Sequence, residues 1–215
     1  MTYLEAVNNV LLRLRERQVS TVNETAYSEL IGQFVNDAMQ EVENAWDWSS
    51  LRTTLSATTT SGVFSYELNT AGTAFEILNV INDTSNDFME YRTATQFDDW
   101  YLNSTPTSGS PKYFSWNGTS SDGDAYVDLY PKPDGVYSIR FNMIKRSPEM
   151  TSDSTSIIVP YKGVQLLAYA KAVEERGEDG GQSAQGAYRT AERAISDAIA
   201  LDSDRHPEEL IYAPV

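Results

Sequence analysis

The residue types that most often supply a general base, a thiolate nucleophile or a soft metal ligand are nearly missing: there is one histidine, His206, and no cysteine. His206 stands beside Pro207 in a C-terminal tail, so a Ser-His-Asp or Cys-His arrangement has no base. Two adjacent carboxylate pairs, Asp98-Asp99 and Glu174-Glu175, have the chemistry of a glycosidase acid and base. Neighbours on a helix point in different directions, however, and both pairs read as solvated charge. The run Gly177 to Gly181 lacks the Gly-x-Gly-x-x-Gly order and the preceding strand of a dinucleotide site, and no Walker-type loop exists. Asp122-Gly123-Asp124 and the run Asp83 to Asp87 offer oxygen ligands of the kind Ca²⁺ takes, but without the calcium-loop spacing and its terminal Glu. Turn chemistry accounts for both. The sequence therefore assigns no catalytic, cofactor-binding or metal-ligating residue and predicts no enzyme.

A second constellation is suited to binding. Tyr91, Trp100, Tyr101, Tyr113, Phe114, Trp116, Tyr126 and Tyr130 crowd one part of the chain. Strand alternation places about half of such residues inside a sheet core. The rest must meet water or a partner, and Tyr and Trp suit interface cores because each buries an apolar body while keeping a polar handle.

These aromatics lie in a block that reads as β. Ala125, Val127 and Leu129 alternate with Tyr126, Asp128 and Tyr130, and Tyr137, Ile139, Phe141 and Met143 alternate with Ser138, Arg140 and Asn142. Pro131-Lys132-Pro133-Asp134-Gly135 between them predicts a hairpin with a long loop. Further strands are expected at 51–60, 63–68, 77–81 and 88–91, with one helical turn at 95–102 capped by Thr95.

Helices flank the block. Leu4, Val7, Leu11 and Leu14 recur at helical spacing behind Thr2 as N-cap, with Arg13, Arg15 and Arg17 complementing the C-terminal dipole, and a longer helix runs from about Thr25 to Asp47. One of Trp46 and Trp48, at its exit, is expected to be buried. After Pro160 a helix runs to Gly177, and another from Ser183 carries a narrow alanine-rich stripe of Tyr188, Ala191, Ala194, Ile195, Ala198 and Ile199. The predicted fold is α+β. A four-helix body is made by residues 1–50 and 157–201, an antiparallel β domain is inserted at 51–156, and 202–215 form an extended tail.

The chain has 215 residues, enough for a sizeable core, and a net charge of −15 from 31 acidic and 16 basic residues. Affinity for phosphate comes from Lys and Arg, which makes a protein this acidic a poor candidate for gripping nucleic acid or anionic lipid. Residues 1–17 are broken by Glu5, Asn8, Asn9 and Arg13, which predicts neither signal peptide nor membrane span and places synthesis in a cytosol.

One order of motifs carries a resemblance. The opening MTYLEAVNNVLLRLRE, Trp46-Asp47-Trp48 after the second helix, Pro111-x-Tyr113, a strand ending in Tyr-Pro-x-Pro-Asp-Gly, and TSDSTSIIVP before an alanine-rich helix resemble the head-to-tail adaptors of short-tailed bacteriophages, also called tail tubular protein A or connector proteins. The resemblance covers nearly the whole chain. It implies a virion protein at the head–tail junction: a homo-oligomeric ring of twelve copies that links the portal protein to a nozzle, with tail fibres as further neighbours, and forms part of the channel through which DNA is ejected without specific binding. On that reading His206, Leu210, Ile211, Tyr212 and Val215 are candidate portal contacts, and Trp100, Tyr101, Tyr113 and Trp116 candidate nozzle or neighbour contacts. Glu5, Asp37, Glu41 and Glu174 are candidates for an acidic lumen that repels passing DNA. The alternative from a different class is a β-rich recognition module that binds glycan or protein through exposed aromatics.

Overall fold

The structure, a computed structural model, describes residues 1–70, 72–102, 105–177 and 181–205. In chain order its elements are α1 (Tyr3–Arg13), α2 (Ala26–Ala45), β1 (Arg52–Thr58), β2 (Ser65–Leu68), β3 (Phe75–Asn82), β4 (Asp87–Tyr91), α3 (Ala94–Leu102), β5 (Tyr113–Thr119), β6 (Ala125–Tyr130), β7 (Ser138–Lys145), α4 (Tyr161–Arg176) and α5 (Gln182–Ser203). The fold is mixed α+β. It divides into two compact units, Met1–Leu51 with the chain from Glu149 onward, and Arg52–Pro148.

In the first unit, sequence-local chemistry sets the helix ends. Thr2 and Glu5 form a reciprocal capping box at the start of α1, and Thr25 and Ser28 do the same for α2. Between these helices the Asn8 side chain donates to the Val19 carbonyl at 2.9 Å and accepts from its N–H at 2.8 Å, which fixes the polar link. Beyond α2 the chain folds back and Trp48, not Trp46, is buried; its indole N–H donates to the Val42 carbonyl at 2.6 Å. Helix α4 is covered on most sides and packs against α1, α2 and α5. The α4 crossing is close at Gly163, where an added Cβ would stand 2.9 Å from Ile195 Cγ1 and 3.6 Å from Val42 Cγ2. Gly177, at φ 61°, ends α4 as its αL cap.

Two boundaries differ from the sequence reading. The link 149–156, expected with the β domain, belongs to the helical unit because it is stitched there: Tyr3 N–H donates to the Thr155 carbonyl at 2.8 Å, Leu4 N–H to Asp153 at 3.1 Å and Ile157 N–H to Met1 at 2.9 Å. Asn36 adds a buried two-point clamp, donating to the Met150 carbonyl at 3.1 Å and accepting from its N–H at 3.0 Å. Asp202, expected to open an extended tail, lies in the last turn of α5 and is buried, accepting from the Ser49 N–H at 2.9 Å and the Ser49 hydroxyl at 2.5 Å.

The second unit is a seven-stranded sheet of order β1-β7-β3-β4-β5-β6-β2. Both alternating runs face as expected: Ala125, Val127 and Leu129, and Ile139, Phe141 and Met143, are all buried. Their expected pairing with each other does not occur. β6 pairs with β5 and β2, whereas β7 pairs with β1 and β3, so residues 131–137 form a crossing and not a hairpin loop. That crossing is tied down elsewhere: Gly62 N–H donates to Pro133, Thr59 N–H to Tyr137 and Gly109 N–H to Lys132, at 2.8 to 2.9 Å. The sheet is also not wholly antiparallel, since β4 and β5 run parallel. Its edge strands β1 and β2 approach each other, which curls it around a core of Val80, Met89, Phe114, Val127, Leu129 and Phe141. Helix α3 is two turns long and is capped by Thr93 rather than Thr95.

Candidate assembly surfaces

Three of the four aromatic contact candidates come together. Helix α3 lies against β5, which sets Trp100 beside Tyr113 and Tyr130 with ring centroids 5.2 and 4.6 Å apart, and Phe97 is buried beneath. Tyr101 packs on Phe64 at 4.9 Å and donates to the Leu129 carbonyl at 3.2 Å. Burial, then the charge of Asp128 and then Tyr130, push the Tyr101 hydroxyl up to about 12. Trp100, Tyr101, Tyr113 and Tyr130 are each half-buried, with their ring contacts made inside the cluster. Trp116 stands apart, packed on Phe75, Phe114 and Phe141 toward the inside of the sheet.

The acidic candidates Glu5, Asp37, Glu41 and Glu174 are all exposed, but three have local partners. Glu5 accepts from Thr2 N–H in the α1 cap at 2.9 Å, Glu41 pairs with Lys171 at 2.6 Å, and Glu174 accepts from the Tyr188 hydroxyl at 2.5 Å. Burial and the hydrogen bond with Glu174 hold Tyr188 protonated, pushing it up to about 12. The turn readings of the other acidic runs agree with their contacts. The Asn82 side chain accepts from the Thr84 and Ser85 N–H groups, Asp83 pairs with Arg140 at 2.8 Å, and Asp124 accepts from the Thr70 hydroxyl. His206, Leu210, Ile211, Tyr212 and Val215 lie outside the described residues.

Sequence reasoning missed a basic pole in this acidic chain. Arg13, Arg15 and Arg176 line a cavity of about 470 Å³ with Tyr169, Val173 and Ser183. Arg176 is fixed by Tyr27 at 2.9 Å and Glu16 at 2.5 Å, and Arg13 stands over the Tyr169 ring at 5.9 Å. The visible signal is the i, i+2 arginines at the end of α1, which taken alone account only for its C-terminal dipole; their meeting with Arg176 is a tertiary fact.

Among the described residues no cluster of His, Asp or Glu could hold a metal ion, and no helix is long and apolar enough to cross a membrane. The arrangement is one of packing and surface, with aromatic, acidic and basic regions on two units. A family model described as SU10 adaptor protein matches residues 1–212. No curated protein matches the chain.

Proposed function

Because this chain belongs to the SU10 adaptor protein family, a phage head-to-tail adaptor family, we propose that it is the subunit of a ring, twelve copies strong, that joins the portal to a tail nozzle and lines part of the DNA ejection channel. The observation that carries this reading is the extent of the match, which runs through the helical and the β unit alike. Geometry supports it in two ways. Helix α5 packs on α4 through Ile195 at Gly163 and leaves Leu201 exposed near its end, an apolar contact open to a like neighbour. The first unit contains α1, α2, α4 and α5, with α4 in contact with the other three, which supports it as the body of a ring.

The role is structural, not catalytic. Glycan recognition through an aromatic platform fits less well, because Tyr91, Trp100, Tyr101, Tyr113, Phe114, Trp116 and Tyr130 all pack against other rings of their own unit. A nonsense mutation in the phage gene for this chain tests the function. DNA-filled heads without tails are the expected product under a non-suppressing host, with infectivity restored when the purified chain and free tails are added. Tailed, infectious particles from that host would refute an adaptor role.

A further inference from the structure

Strand β4 ends early. It pairs with β3 only over Val80–Asn82 and with β5 only at Glu90 and Tyr91. The chain then leaves the sheet: Arg92 N–H still donates to the Phe114 carbonyl at 2.9 Å, and the Thr93 side chain already caps α3. β3 and β5 both continue past that point, β3 from Asn79 back to Phe75 with a bulge at Leu78, and β5 from Ser115 to Thr119. There β3 is paired only to β7 and β5 only to β6. The position between them, in line with β4, holds no strand among the described residues.

What remains is a slot of about 490 Å³ lined by Ile77, Leu78, Val80, Met89, Tyr91 and Trp116. Its floor is apolar and fixed, with Val80 and Met89 buried and the Phe75 and Trp116 rings 5.3 Å apart. Its rim is apolar and open, with Leu78 41% and Tyr91 53% exposed. Upstream of β3 the chain meets the β5–β6 turn closely: a Cβ on Gly123 would stand 2.9 Å from Gly72 Cα, and one on Gly72 2.9 Å from the Asp122 carbonyl oxygen. Since β3 and β5 are both neighbours of β4, the slot is one strand wide. Two strand edges facing each other over an apolar floor recruit an extended segment: main-chain hydrogen bonds give affinity, and alternate side chains fill the floor.

We propose that the slot takes the C-terminal segment 209–213 of a second copy as an added strand. Outside the described residues lie residue 71, residues 103–104, residues 178–180 and residues 206–215, and only the last is long enough. It reads Glu209-Leu210-Ile211-Tyr212-Ala213, β-prone and apolar, with Leu210 and Tyr212 on one face by period two. Pro207 and Pro214 bound it, and Pro214, without an N–H, ends the pairing. A strand given by one copy to the next is a head-to-tail contact of the kind that closes rings, so the choice of a second copy rests on the ring reading above.

The chain's lack of cysteine makes the test clean. Full-length Leu78→Cys and full-length Tyr212→Cys are mixed and mildly oxidised, and the disulfide-linked peptides are read by mass spectrometry. The Leu78–Tyr212 linkage is expected as the main cross-link, lost when a synthetic peptide of residues 206–215 is added in excess. Glu67→Cys, on exposed β2 away from the slot, mixed with Tyr212→Cys serves as control and is expected to give little. Linkage no greater than the control overturns the proposal, and so does a full-length Leu78→Cys/Tyr212→Cys double variant that links only within single chains while the mixed single variants do not link. Light scattering on the unaltered chain separates the two readings. Copies that associate without this linkage remove the slot and leave the ring, whereas linked copies that never exceed a pair remove the ring and leave the slot.

Discussion

Trp48 reaches back over the last turn of α2 and is 1% exposed, while Trp46, two residues earlier, is 37% exposed. Truncating Trp48 deletes a large buried side chain and the donor to Val42 together. Trp48→Ala is therefore expected to lower the unfolding free energy by about 3–5 kcal/mol in urea denaturation, and Trp46→Ala by less. Asn36→Ala would strand both polar groups of the Met150 backbone in a buried place, at a cost of about 1–3 kcal/mol in the same experiment. Tyr101 gives a pH signature. Its hydroxyl keeps its proton to about 12 in the folded state, against the ordinary tyrosine value of 10.0. The stability tied to this proton is thus complete below pH 10 and is lost as pH rises from 10 toward 12. Tyr101→Phe should flatten that alkaline loss, measured as the pH dependence of the urea midpoint. An undiminished loss in the variant would place its origin in other groups. At this scale the sequence was legible where a residue acts on near neighbours: the Thr2 cap needs only Glu5, three residues away. It was silent on Asn36, Asp202 and the Arg13–Arg176 pole, because their partners are between about a hundred and more than a hundred and fifty residues distant and nothing local marks them.

At the scale of elements, alternation decides which face of a strand is buried but not which strand lies beside it. Ile139, Phe141 and Met143 were readable as core for that reason, while the pairing of β7 with β1 and β3 was not. The loop 131–135 was long enough to permit a crossing, and the strands β2 and β5 that take β6 both precede it in the sequence. Helix boundaries fared better, since caps and Gly177 are local signals. Helix contacts suggest a direct perturbation. A Cβ at Gly32 would come 2.5 Å from the Tyr3 hydroxyl and 2.7 Å from Val22 Cγ1. Alanine gains up to about 1 kcal/mol of helix propensity, but overpacking costs about 1–3 kcal/mol. Gly32→Ala is expected to be net destabilising, because α1 and the 3-10 turn at Val22 cannot both move away from α2; an unchanged or raised melting temperature would show that they can.

The whole molecule is two units on one chain, with the second inserted in the first. Replacing Arg52–Pro148 by a short Gly/Ser linker should leave a cooperatively melting helical protein, as read by circular dichroism. Extending the same deletion through Ser156 should not, because residues 149–156 carry the hydrogen bonds that hold α1 and α2 in place. Equal behaviour of both deletions would mean that this stitching is dispensable. The family was legible in an order of motifs along the chain; the surfaces that would execute its role depend on copies and partners that no single sequence encodes locally. The measurement that bears most directly on the adaptor reading is electron microscopy of the purified chain mixed with the portal protein of its phage. A ring of this chain stacked coaxially on one end of the portal is the predicted image. Bare portals beside unassembled chain, at concentrations well above those in an infected cell, would contradict it.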